Sequence, residues 1–105
     1  MSFYCLMKAW VFMDALSNVR SVIDDIDREL IRLLAQRQIL VEKAGRLKPK
    51  GDKSAVRAND CVAQVIANRR KEALELGLSP DVAESVWQSM IQALIALEEK
   101  VNKEQ

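Results

Sequence analysis

Four charged side chains stand at positions where the helical pattern makes them anomalous, and the cations among them could bind an anion. Arg37 falls inside an apolar repeat (Leu16, Val19, Ile23, Ile26, Leu30, Leu33, Leu40, Ala44 and Leu47) at a point where the register calls for a hydrophobe. A guanidinium buried there without a partner is strongly unfavourable. Two readings meet that need: an ion pair with a carboxylate of another helix, or an anion site. Lys48 is nearly three whole helical turns further on, so it shares a face with Arg37 at about 16 Å along the axis. Two cations so placed grip the ends of a small dianion, although a lysine near a helix C-terminus also serves the helix dipole. Glu98 follows Trp87, Ile91 and Leu94 at helical spacing, which puts a carboxyl on the buried face of its helix. There it must be neutral, paired or functional, and a salt bridge to Arg37 or Lys48 is the structural alternative. Arg20 lies about 42 Å from Lys48 along one helix. One copy of the chain cannot bring both to one small ligand, whereas a second, antiparallel copy lays its Arg20 near the first chain's Arg37 and Lys48. Taken alone, Arg20 also fits a solvated helix arginine.

The element that must carry three of these four groups is the stretch over residues 16–48, free of Pro and Gly until Gly45. Its three-four alternation is the seam of a helix packed lengthwise on other helices. Such a helix is about 50 Å long, while a domain of this size has a radius of gyration near 13 Å. It therefore predicts the spine of a helical oligomer. Asp14 is the expected N-cap, and Pro49 ends the helix. Residues 49–58, PKGDKSAVRA, read as a connecting loop. Asn59 or Asp60 is then expected to cap a second helix carrying Val62, Val65, Ile66, Ala73 and Leu76, with Gly77 just past its end. Ser79-Pro80 restarts the chain as N-cap and first helical residue. The third helix presents Val82, Val86, Trp87, Met90, Ile91, Leu94, Leu97 and Val101 on one face. The fold class is all-α, with three helices per chain: one very long, one medium and one long.

Composition agrees with that class. The 105 residues suffice for one domain. Three Gly, two Pro and 5% aromatic residues are poor material for sheets. A net charge of +1 sets up no global field for nucleic acid or an anionic membrane. The chain has no histidine, the commonest general base and metal ligand, and no Gly-rich phosphate loop, so neither a metal nor a cofactor is expected. Cys5 and Cys61 lack motif spacing and read as reduced thiols of a cytoplasmic protein. Residues 1–13, MSFYCLMKAWVFM, have apolar runs far short of the roughly 20 residues of a membrane span and no clear cleavage pattern. They read as an N-terminal apolar extension to a domain over residues 14–105.

The stretch VRSVIDDIDRELIRLLAQRQILVEKAGRLK, with Arg20, Asp24, Asp27, Leu30, Leu33, Leu34, Arg37, Gly45 and Lys48, resembles the first helix of the all-helical (AroQ-type) chorismate mutases. The segment RKEALELGLSPDVAESVWQSMIQALIALE agrees with the family in length and pattern, with Glu98 where the family has Gln or Glu. The resemblance covers residues 16–102. It implies an intertwined homodimer in which the first arginine crosses from the partner chain. It also implies a site for chorismate, a dicarboxylate enol ether. Arg37 and Arg20 of the partner subunit would bind the carboxylates, while Lys48 and Glu98 would hydrogen-bond the ether oxygen. The implied reaction is a unimolecular [3,3] rearrangement to prephenate that needs no nucleophile, metal or cofactor. There are departures. Ala58, Cys61 and Val62 stand where bacterial mutases often have Asp, Arg and Glu, and Leu94 replaces a frequent Ser. Val62 thus takes the place of the group that resembles a holder of the ring hydroxyl, and Arg57 or Asn59 is a candidate substitute. Isochorismate-pyruvate lyases and mutases of 4-amino-4-deoxychorismate share the fold and are alternative readings. From a different class, a helical dimerisation module would pair its buried charges among themselves.

Overall fold

The computed structural model describes residues 10–104. Cys5 and most of the apolar extension lie outside the described residues. The described chain is all-helical: α1 (Trp10–Leu47), α2 (Lys53–Arg57), α3 (Asn59–Leu76) and α4 (Pro80–Lys103). No strand occurs among the described residues, and no helix there is long and apolar enough to cross a membrane. The chain divides into two compact units, with the boundary inside α1 after Arg37.

The first unit is helical in its described part. It corrects one expectation, because α1 is already helical at Trp10 and Asp14 lies inside it, not at its N-cap. No Pro or Gly stands between Trp10 and Asp14 to interrupt the helix. Within the chain the apolar repeat is largely uncovered here, with Val19, Ile26 and Leu30 at 52%, 54% and 51% exposure. Arg28 pairs with Asp25 at 2.6 Å, and Arg32 pairs with Glu29, each three residues apart on the helix surface. Such pairs contribute a few tenths of a kcal/mol, about 0.2–0.5 each.

The second unit, from Gln38 onward, holds the last turns of α1 with α2, α3 and α4. Helices α3 and α4 run antiparallel, as three contacts between them show: Arg69 lies over the Trp87 ring at 6.0 Å, and Arg70 reaches Asp81 at 3.1 Å and Glu84 at 2.9 Å. Ala73 and Ala83, both buried, let the two helices approach near their connection, and Ile91 continues that core. The connection follows the expected chemistry. Gly77 adopts φ 77°, and the Leu78 N–H donates back to the Ala73 carbonyl at 2.8 Å, as in a glycine-terminated helix. Ser79 Oγ accepts from the Val82 N–H at 3.4 Å, and Pro80 opens α4.

Two expectations about residues 49–60 fail. This segment is not wholly a loop, since residues 53–57 form α2. Asp52 Oδ1 accepts the Ala55 N–H at 3.0 Å as its cap, and Val56, 3% exposed, anchors it in the core. Nor does Asn59 or Asp60 cap α3. Ala58 sits in the left-handed region (φ 41°, ψ 57°), where its N–H closes α2 on the Ser54 carbonyl at 3.0 Å. Its own carbonyl accepts the Val62 N–H at 3.1 Å and starts α3. The N-cap position of α3 is therefore taken by Ala58, whose methyl group cannot accept a hydrogen bond.

Candidate active site

In the second unit the end of α1 meets α4 at Gly45, which is buried. A Cβ at this position would stand 2.9 Å from Glu98 Cγ and 3.1 Å from the Glu98 carbonyl oxygen. The close approach of α4 therefore requires glycine here. Three residues on, Lys48 Nζ donates to Glu98 Oε2 at 2.5 Å. Glu98 is 6% exposed, so its charge is met by the ammonium and not by bulk water. The Lys48 side chain keeps 29% of its surface. An ammonium has three N–H donors, and Glu98 takes one of them. The pair is a partly buried cation with donors that Glu98 does not take.

Gly45→Ala tests this packing. Alanine is about 1 kcal/mol more favourable in a helix than glycine, while overpacking a close contact costs typically 1–3 kcal/mol. Urea unfolding should therefore show a net loss of roughly 1 kcal/mol. The coupling between Lys48 and Glu98, measured by a double-mutant cycle, should weaken as Glu98 is pushed away from Lys48. A variant as stable as the parent with unchanged coupling would mean that Gly45 does not set this contact.

The other expected site residues fall in separate places. Arg57, exposed at the end of α2, pairs with Glu99 Oε1 at 3.4 Å, an ion pair of small value at that exposure. Arg57, Asn59, Val62, Ile66, Ile91 and Ile95 line a cleft of about 490 Å³ between α3 and α4. Lys48 and Glu98 do not line it. Its floor is apolar where Val62 stands, with carboxamides of Gln88 and Gln92 on its α4 side. Leu94 is half-buried on α4, one turn before Glu98. Cys61 is an exposed free thiol. In the first unit Arg37 is half-buried and Arg20 exposed, and no described carboxylate of that unit forms a salt bridge with Arg37. Among the described residues no group of three or more His, Cys, Asp or Glu is placed to hold a metal ion.

Asn102 is the residue that sequence reading missed. It is 1% exposed, one turn beyond Glu98, and bonds the backbone on both sides of Lys48. The available signal was a carboxamide four residues past Glu98, on the same buried face.

A helical domain with a buried carboxylate on a helix-terminal lysine defines a small all-α protein with a built polar site. The chain belongs to the chorismate mutase type II family, whose model matches residues 19–99. It is similar to the T-protein of Haemophilus influenzae (strain ATCC 51907 / DSM 11121 / KW20 / Rd), at 41% identity over 75 residues, covering 71% of this chain and 20% of that protein. It is also similar to the T-protein of Enterobacter agglomerans, at 38% identity over 71 residues, covering 68% of this chain and 19% of that protein. The chain thus spans about a fifth of the length of the curated relatives it matches.

Proposed function

We propose that the protein is a chorismate mutase, an isomerase of aromatic amino acid biosynthesis that converts chorismate to prephenate. Family membership supports the reading, and the observation that carries it is the Lys48–Glu98 pair, a cation held on a buried carboxylate with donors to spare. In the rearrangement the ether C–O bond breaks as a C–C bond forms, and negative charge develops on the ether oxygen. Lys48 stabilises that charge, an electrostatic contribution that grows toward the transition state. Arg37, and Arg20 of the partner subunit, hold the two carboxylates and select the compact reactive conformer. By the family resemblance, Arg57, Val62 and Leu94 contact the substrate, Val62 and Leu94 through apolar surface, although Arg57 and Val62 line the cleft between α3 and α4 that Lys48 does not line. No metal or cofactor takes part.

The working form in this reading is an intertwined, cytoplasmic homodimer whose spine is the very long first helix. The exposed apolar repeat supports it: Val19, Ile26, Leu30, Leu33 and Leu40 are each between 47% and 64% exposed in the single chain. A stripe of that kind exceeds what a monomer usually leaves uncovered. The catalytic domain extends over residues 14–105, with residues 1–13 as an apolar extension, and it contains the family match.

A dicarboxylate bicyclic mimic of the transition state tests the reading without turnover. At a hundredfold excess over its Kd, such a ligand adds about 2.7 kcal/mol to stability, and the melting temperature should rise by several degrees. An unchanged melting temperature would favour a non-catalytic dimerisation module.

Glu98→Gln separates chemistry from structure. A carboxyl donates a hydrogen bond to an ether oxygen only when protonated, whereas in the resting protein Glu98 accepts from Lys48. The amide of Gln is a donor in every state, so Glu98→Gln should keep or raise the activity if Glu98 donates in the reaction. A large loss of activity would make Glu98 a structural carboxylate partner of Lys48 alone.

A further inference from the structure

The C-terminus of a helix leaves its last carbonyls without partners, and a following glycine commonly resolves this by turning the chain back. Here the residues after α1 are Lys48 and Pro49. Proline has no N–H to return to the helix. Another element supplies the partner. Asn102 of α4 directs Nδ2 at the carbonyls of Gly45 (2.8 Å), Lys48 (3.2 Å) and Pro49 (3.2 Å), while its Oδ1 accepts the Gly51 N–H at 2.6 Å. One carboxamide thus holds backbone groups of four residues around the α1 terminus, and Asn102 is 1% exposed.

Lys48 lies inside the segment so held. Its carbonyl bonds to Asn102, and its own N–H bonds to the Ala44 carbonyl at 3.1 Å. The backbone from which the lysine side chain departs is therefore fixed on both sides. Asn102 is also four residues beyond Glu98, on the same helix face. A single face of α4 presents a carboxylate to the Lys48 ammonium and a carboxamide to the Lys48 backbone. That matching matters because lysine has a long, flexible stem, and the direction of its ammonium depends on a defined starting point.

We propose that Asn102 is a positioning residue for Lys48: its carboxamide fastens the end of α1 to α4 and so sets the Lys48 ammonium where the reaction needs it. The inference rests on the reading of Lys48 as the group that meets the ether oxygen. The residue type is accounted for as well. A donor for carbonyls and an acceptor for an N–H are needed together, without charge. Asp would set a carboxylate against three carbonyl oxygens, and Leu, of similar size, would leave every one of these groups unsatisfied.

Kinetics and stability of the chain, each read as a double-mutant cycle, test the proposal. Asn102→Ala should lower kcat about 100-fold, the effect of a misplacement near 1 Å, with a much smaller change in KM. In a Lys48→Ala background the same substitution should change kcat by less than about twofold, since the group it positions is gone. An equal loss of kcat in both backgrounds would mean a general structural role and would overturn the proposal. If Asn102→Ala does not fold, as judged by circular dichroism, Asn102→Ser, which keeps a hydroxyl donor and acceptor, replaces it in the same cycle. The second arm does not use turnover. The coupling between Lys48 and Glu98, measured by urea unfolding of the single and double variants, should fall by at least half when Asn102 is also replaced. Unchanged coupling overturns the proposal even if the enzyme is active. A wild-type chain that does not turn over chorismate would remove the functional reading, and the coupling arm would still decide whether Asn102 positions Lys48.

Discussion

Lys48→Ala should lower kcat for the rearrangement of chorismate by about 10³-fold, the range seen when one donor to a developing oxyanion is removed. KM should change far less, because the carboxylates and not the ether oxygen anchor the substrate in the ground state. The reason lies in the environment of the ammonium. Glu98 is almost wholly buried and binds Nζ at 2.5 Å, so the cation is held in place before the substrate arrives. A preorganised charge of this kind stabilises the transition state without reorganising during the reaction. Steady-state kinetics with chorismate check it. A fall in kcat/KM caused by KM alone would assign Lys48 to uniform substrate binding.

Arg20→Ala and Arg37→Ala should each nearly abolish activity, and mixing the two inactive proteins should restore part of it. In a two-fold symmetric dimer with shared sites, each heterodimer has one site with both arginines and one site with neither. Random exchange of equal amounts should then return about a quarter of the wild-type activity. The exposed apolar repeat of α1 and the helical distance between the two arginines both motivate the experiment. No recovery after verified subunit exchange would mean that both residues serve one chain's site, or that neither belongs to a site.

Local chemistry was legible in the sequence where one residue acts on its near neighbours. Gly77 and Ser79-Pro80 mark the end of α3 and the start of α4 because their effect is on backbone within a turn of themselves. The short helix α2 was hidden for the opposite reason: five residues show no periodicity, and its one signal, Asp52 three residues before Ala55, is common in loops. The placement of Glu98 on a buried face was legible from its spacing, but whether Arg37 or Lys48 met it was not. That choice is made by Gly45, which lets α4 close on the end of α1. Asn102 could be placed on the buried face by its spacing from Glu98, but its partners could not be read, because they are main-chain groups more than fifty residues earlier. Backbone groups carry no sequence signature, and only the packed structure identifies which ones a carboxamide serves.

Product analysis after separate incubation of the purified chain with chorismate and with isochorismate decides whether this chain rearranges chorismate to prephenate with its own residues. Prephenate is expected from chorismate, without added metal or cofactor, and is expected to be lost in Lys48→Ala. Chorismate left intact, with pyruvate released from isochorismate, would contradict it and make the protein a lyase on the same helical frame.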